Sequence, residues 1–175
     1  MQTALLDTPI GTLNVGATAR GLRLVQFPRD RESDQPFVTG DEAAPGKKPD
    51  RIAQAQLDEA LLQLREYFDG TRTVFDIALD WYGVNGLRLT VLKLLAEVPF
   101  GETVTYGDLA KGSGAGVTAS QAVGGIMGSN PLPIVVPCHR VLAADGLGGF
   151  GGGLRTKEWL LAWEGVMPPA LDWEL

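Results

Sequence analysis

The sequence predicts an α+β chain in two parts, a small N-terminal α/β domain at 1–80 and a mostly helical C-terminal domain at 81–175. Three observations support this. Apolar and polar residues alternate through 1–26, apolar residues then recur at helical spacing, and the second half contains two short helical patterns joined by a glycine-rich turn. The chain is long enough to bury a sizeable core.

The N-terminal part begins with three strand patterns. Two apolar runs flank a proline–glycine turn in "ALLDTPIGTLNVGAT", and "GLRLVQF" alternates as a third strand. Residues 28–50 are rich in proline, glycine and charge, which predicts a long loop. A helix follows, with one apolar face made by Leu57, Leu61, Leu64 and Phe68, and Gly70 is placed to end it. The alternating segment "TVFDIAL" predicts a further strand at 73–79.

The C-terminal part begins after the linker "DWYGVNG" with a helix that Pro99 stops. Its predicted apolar face consists of Leu87, Val91, Leu94 and Val98. Thr105 is placed to cap the short helix "YGDLAK", and Thr118 to cap a second, "ASQAVGGIMG". The glycine-rich turn between them gives the outline of a helix-turn-helix.

The second helix of this pair is rich in small residues, namely Ala119, Ala122, Gly124 and Gly125. They favour one of two arrangements: a buried helix packed tightly on a neighbour, or a helix that approaches a DNA groove closely. A glycine cluster at 146–153 then predicts a loop. The last helix carries Leu154, Trp159, Leu160 and Trp163 on one face and ends at Gly165.

The net charge of −6 argues against nucleic-acid binding by bulk electrostatics, although 87–140 is slightly positive. No apolar run is long enough to span a membrane, and the N-terminus lacks the pattern of a signal peptide. One cysteine cannot form an internal disulfide. These features favour a reducing cytoplasm.

The only cysteine, Cys138, directly precedes the only histidine, His139. The pair is either coincidental, with a small core cysteine, or a nucleophile and its base. A water could bridge the two side chains, and a carboxylate would have to orient the base; the eight acidic residues after Gly86 leave that choice open. One cysteine and one histidine fall short of a zinc site, and no phosphate loop is present, so we expect no metal and no cofactor.

"NPLPIVVPCHRV" resembles the active-site signature of the O6-alkylguanine-DNA alkyltransferases. The resemblance extends in order and spacing to "TPIGTLNVGATARGLRLVQF", "VPFGETVTYGDLA", "AVGGIMGSNP" and "GGFGGGLRTKEWLLAWEG". It implies an RNase H-like N-terminal domain and a helix-turn-helix domain. It also implies repair of O6-alkylguanine in double-stranded DNA in a single turnover, with O4-alkylthymine as a further substrate class left open.

The resemblance implies a role for each matched residue. Cys138 would accept the alkyl group, His139 would activate it through a water, and Glu164 would orient His139. Asn130 would hydrogen-bond near the cysteine turn, and Tyr106 would rotate the nucleotide and protonate the departing guanine. The backbone of Cys138 and Val141, together with Gly151, would line the guanine pocket. Arg140 would be structural and tie the active-site segment to its neighbours.

The resemblance further implies that the second helix enters the minor groove, with Thr118, Gln121, Ala122 and Gly125 toward DNA. Two residues depart from the family pattern. Gln121 stands where an arginine usually fills the space of the flipped base, which predicts weaker flipping or affinity. Phe150 stands where a tyrosine is common, which predicts the loss of one hydroxyl contact.

Two other classes of function stay open on the residues alone. One is a helix-turn-helix protein that binds lesions without catalysis, and the other is a cysteine hydrolase. Because the cysteine is retained, we expect the alkyltransferase activity, carried out by a monomer with duplex DNA as its partner and no membrane.

Overall fold

The computed structural model describes residues 1–27 and 50–172, and the chain separates into two compact units, Met1–Tyr82 and Gly83–Leu175. The elements confirm the predicted α+β class. The predicted loop at 28–50 lies outside the described residues, except for Asp50. No helix in the described part of the chain has the length and apolar character needed to cross a membrane.

The first unit is built on an antiparallel sheet in the order β1-β2-β3. Its strands are β1 (Gln2–Thr8), β2 (Gly11–Thr18) and β3 (Gly21–Gln26), as predicted. Thr8 Oγ1 donates to Gly11 O at 2.6 Å and closes the first turn. One face of the sheet buries Leu13, Val15 and Ala17 of β2 completely, and Asn14 and Gly16 between them are buried as well.

Helix α1 (Arg51–Phe68) packs on this sheet. Asp50 caps it, because its carboxylate accepts from Ile52 N at 3.0 Å and Ala53 N at 3.1 Å. All four residues of the predicted apolar face are buried. Gly70 has φ +74°, the left-handed conformation that ends a helix, so the predicted stop is confirmed.

The predicted strand at 73–79 is wrong. Leu79 makes a single parallel bridge with Leu22, and the rest of the segment is irregular. A side chain takes the place of a strand partner, since Gln63 Oε1 accepts from Asp76 N at 2.8 Å and Gln63 Nε2 donates to Asp76 O at 2.9 Å. The backbone groups of Asp76 are therefore satisfied by a buried amide on α1. The segment joins the sheet at its end, where Leu22 N donates to Ala78 O and Asp80 N donates to Leu22 O, each at 2.8 Å.

Asp80 anchors the end of the first unit. Its buried carboxylate accepts from Thr18 Oγ1 at 2.6 Å, Arg20 Nε at 3.1 Å, Arg23 Nη1 at 3.3 Å and Tyr82 N at 3.0 Å. Burial alone would raise the pKa of Asp80, but these hydrogen bonds and the charge of Arg20 hold it at about 2. Both guanidinium groups also lie over the Tyr82 ring.

The second unit contains the remaining elements. They are α2 (Gly86–Ala96), β4 (Val104–Thr105), α3 (Tyr106–Gly112), α4 (Ser120–Gly128), β5 (Val141–Leu142) and α5 (Leu154–Trp163). β4 and β5 pair in parallel, with Val104 opposite Val141 and Thr105 opposite Leu142. A 3₁₀ turn, Cys138–Arg140, runs directly into β5. This short pairing joins the cysteine turn to the start of α3.

Helices α3 and α4 contact each other and form the predicted helix-turn-helix. Thr105 caps α3 as predicted, because Thr105 Oγ1 accepts from Asp108 N at 3.0 Å and Asp108 Oδ2 accepts from Thr105 N at 3.1 Å. Thr118 does not cap α4, which corrects that prediction. It lies inside a 3₁₀ turn, Val117–Ala119, that winds directly into the helix.

The predicted faces of α2 and α5 are only partly correct. In α2 the buried residues are Val91, Leu92 and Leu95, while the predicted Leu87 is exposed. In α5 Trp159 and Leu160 are buried as predicted, but Leu154 is 52% exposed. Both sequences carry more apolar residues than one stripe needs, so periodicity alone selects the wrong rotation.

Candidate active site

Cys138 opens onto a cavity of about 270 Å³ in the second unit. Its lining is unusually poor in side chains: Tyr106, Gly124, Met127, Gly128, Cys138, Gly149, Phe150 and Gly151. The residues come from α3, α4, the cysteine turn and the loop before α5. The structure therefore brings three predicted residues, Tyr106, Phe150 and Gly151, to one cavity with the thiol.

The Cys138 thiol is almost fully buried. Burial raises its pKa to about 11, although hydrogen bonds from Asn130 and from the Cys138 and His139 amides, with the charge of Lys157, oppose that rise. The same donors would stabilise a thiolate once formed. At neutral pH the thiol holds its proton, so an attacking sulfur here needs a base.

His139 is fully buried and has the chemistry of such a base. Its Nε2 lies 2.7 Å from Glu164 Oε1. Burial lowers the pKa of His139, against the opposing effect of Glu164, so the ring is neutral at pH 7. A carboxylate only accepts hydrogen bonds, so the proton sits on Nε2 and Nδ1 keeps its lone pair. Among the described residues, Nδ1 has no hydrogen-bond partner.

Glu164 holds this histidine and a neighbouring arginine together. Arg140 donates to it twice, from Nε to Oε2 and from Nη2 to Oε1, each at 2.8 Å. Burial would raise the pKa of Glu164, but the bonds from His139 and Arg140 hold it at about 2. Arg140 Nη1 also donates to Val98 O at 2.5 Å. Arg140 therefore ties the cysteine turn to α5 and to the segment after α2, and it does not line the cavity.

The segment before the cysteine is closed by Asn130. Its Nδ2 donates to Val136 O at 2.8 Å, and its Oδ1 accepts from Leu132 N at 3.0 Å. Inside this loop Ile134 has φ +73°, a strained conformation for a β-branched residue. Asn130 thus lies where the sequence resemblance places it, and strain is stored within a few residues of the thiol.

Tyr106 forms one wall of the cavity at the first position of α3. Its hydroxyl donates to Gly149 O at 3.4 Å. Burial raises the pKa of Tyr106, and the nearby Cys138 contributes in the same direction, while the Gly149 bond opposes it. The phenol is therefore a proton donor at neutral pH. Gly148 has φ +71°, and a Cβ there would lie 2.8 Å from the Tyr106 ring, so only glycine fits.

Val141 is not part of the cavity lining. It is fully buried in β5, and its carbonyl accepts a hydrogen bond from Lys157 Nζ at 2.6 Å. A carbonyl oxygen can accept a second hydrogen bond, so the expected backbone contact of Val141 with guanine is compatible with this bond and stays a prediction.

Helix α4 presents three of the predicted DNA-facing residues to solvent, Gln121, Ala122 and Gly125, and Thr118 is exposed just before it. A Cβ added at Gly124, Gly125 or Gly128 would meet no atom within 4 Å outside the adjacent backbone of its own helix. These glycines therefore do not serve close packing inside the protein, which removes the first of the two sequence-based explanations. An open, small-residue face remains.

Lys157 is a buried residue beside the site that the sequence reasoning missed. It has no exposed surface and lies beside Leu160, Leu161 and Glu164 at positions i, i+3, i+4 and i+7 of α5. This spacing is a sequence signal for burial, since it places the lysine on the same helix face as two leucines and a glutamate that are buried. Its Nζ bonds three backbone carbonyls near the cavity.

Comparisons with known proteins agree with this geometry along the whole chain. The family model for the 6-O-methylguanine DNA methyltransferase ribonuclease-like domain matches residues 1–81, and the model for the DNA-binding domain of the same proteins matches residues 87–166. Both halves of the described fold are therefore covered by one family.

Similar proteins come from distant organisms. A methylated-DNA–protein-cysteine methyltransferase of Methanosarcina acetivorans is 36% identical over 94% of this chain and 99% of its own length. The Rattus norvegicus protein of that name is 34% identical over 95% of this chain and 83% of its own.

Among solved structures, Mycobacterium tuberculosis OGT in complex with DNA has a TM-score of 0.75 at 35% identity, covering 96% of both chains. With both domain models matched and relatives aligned over nearly all of the sequence, the chain belongs to the O6-methylguanine DNA methyltransferase family.

Proposed function

We propose that this protein repairs O6-alkylguanine in duplex DNA by transferring the alkyl group once, and irreversibly, to Cys138. The observation that carries the proposal is the buried Cys138 at a cavity of about 270 Å³, next in sequence to a buried His139 that is hydrogen-bonded to Glu164. Family membership supports the same reaction. The N-terminal unit serves as a scaffold, and the C-terminal unit, Gly83–Leu175, binds DNA and holds the reacting groups.

The reaction balances with the groups described. His139 Nδ1 takes the thiol proton through one bridging water, and the thiolate attacks the alkyl carbon. An S–C bond forms as the bond from carbon to guanine O6 breaks. Tyr106 supplies the proton that makes the departing guanine neutral, and neutral guanine is a better leaving group than its anion. The thioether cannot return the alkyl group, so each molecule acts once.

The exposed face of α4 is the proposed DNA contact. Its glycines and alanine leave the helix backbone accessible, which suits the narrow minor groove. Gln121 projects from that face as the partial wedge for the space of the flipped base. The protein acts as a monomer, because one chain holds every group that the reaction uses, and a reducing cytoplasm would keep Cys138 as a thiol.

Intact-protein mass spectrometry tests the proposal. Incubation with a duplex that contains one O6-methylguanine should add one methyl mass, once, and the modified peptide should contain Cys138. The Cys138→Ser variant, in which the nucleophile alone is changed, should bind the duplex and gain no mass. Binding with unchanged mass in the wild-type protein would instead identify a non-catalytic lesion-binding protein, and repeated turnover of an acyl substrate would identify a hydrolase.

A further inference from the structure

Lys157 is a buried charge that the proposed reaction does not use. A buried ammonium is costly unless its hydrogen-bonding capacity is satisfied, and the described residues include no carboxylate paired with it. Its Nζ donates instead to Val141 O at 2.6 Å, to Gly149 O at 3.1 Å and to Leu147 O. An ammonium has three N–H donors, so all of them are occupied. Lys157 therefore has none left to give to a substrate.

The three acceptors belong to one segment, 141–149. It begins one residue after the cysteine turn and ends in the cavity wall at Gly149. One side chain on α5 thus fixes both ends of this segment, where the neighbouring glycines supply little packing of their own. The hydrogen bonds of Lys157 therefore hold this segment in place, as packing against apolar side chains would hold an ordinary loop.

Gly149 O has a second donor, the Tyr106 hydroxyl, at 3.4 Å. Lys157 and Tyr106 therefore share one acceptor. The close fit of Gly148 against the Tyr106 ring adds a steric contact at the same place. The position of the phenol consequently depends on where Lys157 holds the Gly149 carbonyl.

We propose that Lys157 is a positioning residue, which orients the Tyr106 hydroxyl through the shared Gly149 carbonyl and so sets proton delivery to the departing base. The inference rests on the proposed function for its kinetic consequence but not for its structural one. A secondary effect has the same sign, because the charge of Lys157 opposes the rise in the pKa of Cys138. Lys157 touches neither the alkyl group nor the reacting sulfur.

A double-mutant cycle tests the kinetic consequence. Single-turnover methyl transfer would be measured in the wild type, Lys157→Met, Tyr106→Phe and the double variant. Lys157→Met should slow transfer about tenfold or more in the wild type and less than about threefold when Tyr106 is already phenylalanine, since no hydroxyl remains to be oriented. If the rate loss of the double variant equals the product of the losses in Lys157→Met and Tyr106→Phe, the proposal is overturned.

A spectroscopic measurement tests the structural consequence without any activity. The protein would be labelled with 3-fluorotyrosine, and the Tyr106 signal in fluorine NMR would be assigned by its disappearance in Tyr106→Phe. Lys157→Met should move that signal and leave those of the other two tyrosines in place. An unmoved Tyr106 signal would overturn the proposal, whatever the rates are.

The matched control is Lys93→Met, the same change at an exposed lysine of α2, which should alter neither the rate nor the signal. Circular dichroism would verify folding, and if Lys157→Met does not fold, Lys157→Gln replaces it in both measurements. A wild-type protein that accepts no methyl group would remove the proposed function, while the fluorine signal would still decide whether Lys157 positions Tyr106.

Discussion

Glu164 is the carboxylate on which the buried Arg140 and the proposed base, His139, both depend. Glu164→Gln should reduce methyl transfer about tenfold or more, because a neutral amide no longer stabilises the charged His139 that forms when the thiol ionises. It should also lower the free energy of unfolding by about 3 kcal/mol, since Arg140 keeps its charge without a carboxylate. Single-turnover assays measure the rate of methyl transfer, and urea denaturation measures the free energy of unfolding.

Glu158→Gln is the matched control for that change, one helical position from the buried Lys157 and outside the His139 network. It should leave both the rate and the stability within experimental error. An unaltered rate in Glu164→Gln would mean that the carboxylate does not assist the base.

Gln121 stands where the sequence resemblance leads us to expect an arginine. Gln121→Arg should raise the single-turnover rate on lesion duplex by about threefold or more, because a guanidinium is longer, can stack on bases and adds a phosphate-attracting charge. Gln54→Arg on the exposed face of α1 adds the same charge outside the helix-turn-helix and should have no effect. A slower or unchanged rate in Gln121→Arg would contradict the interpretation of this position.

The start of α3 depends on its capping box. Thr105→Ala should lower the free energy of unfolding by about 1 kcal/mol, because the Asp108 amide loses its acceptor. Thr118→Ala makes the same change where the side chain caps no helix, and its effect should stay within about 0.5 kcal/mol. Chemical denaturation followed by circular dichroism compares the two variants, and equal losses would contradict the structural difference between them.

The same two threonines show what local sequence can predict. Thr105 and Asp108 lie three residues apart at the start of a helix, so the signal for the cap is complete in four residues. At Thr118 the chain passes through a 3₁₀ turn first, and nothing in the sequence distinguishes that turn from the first turn of a helix. The strand predicted at 73–79 failed for a longer-range reason, because its backbone partner is the side chain of Gln63, distant in sequence.

Within the site, sequence resemblance indicated the residues that we propose to carry the reaction, whereas composition and spacing could only mark Cys138 and His139. The choice of Glu164 among eight acidic residues required either the resemblance or the fold. Lys157 escaped both, because its partners are backbone carbonyls, and carbonyls have no signature in a sequence.

Across the chain, each of the two compact units contains one buried carboxylate with a pKa of about 2, Asp80 in the first and Glu164 in the second. Their ordinary values are 3.8 and 4.5, so the unfolded chain binds these protons more tightly. The stability that they contribute is therefore fully present above those values and is lost as the pH falls through about 2.

Asp80→Asn should lower the free energy of unfolding at pH 7 by roughly 2 kcal/mol and flatten its dependence on pH between the two pKa values. Urea denaturation at pH 7 and near pH 3, followed by the signal of the first unit, measures both quantities. Asp58→Asn, at an exposed position of α1, is the control and should retain the wild-type slope. If the free energy of unfolding of Asp80→Asn still depends as steeply on pH as that of the wild type, Asp80 is not the source of the acid sensitivity.

The pairing of β4 with β5 has a consequence for how a lesion is met. Val104 and Thr105 directly precede the helix-turn-helix, while Val141 directly follows the turn that carries the thiol. The two residue pairs between β4 and β5 therefore hold the helix-turn-helix and the cysteine turn together. In the proposed reaction we therefore expect the helix-turn-helix and the cysteine turn to keep their relative positions, so that the nucleotide moves to the thiol.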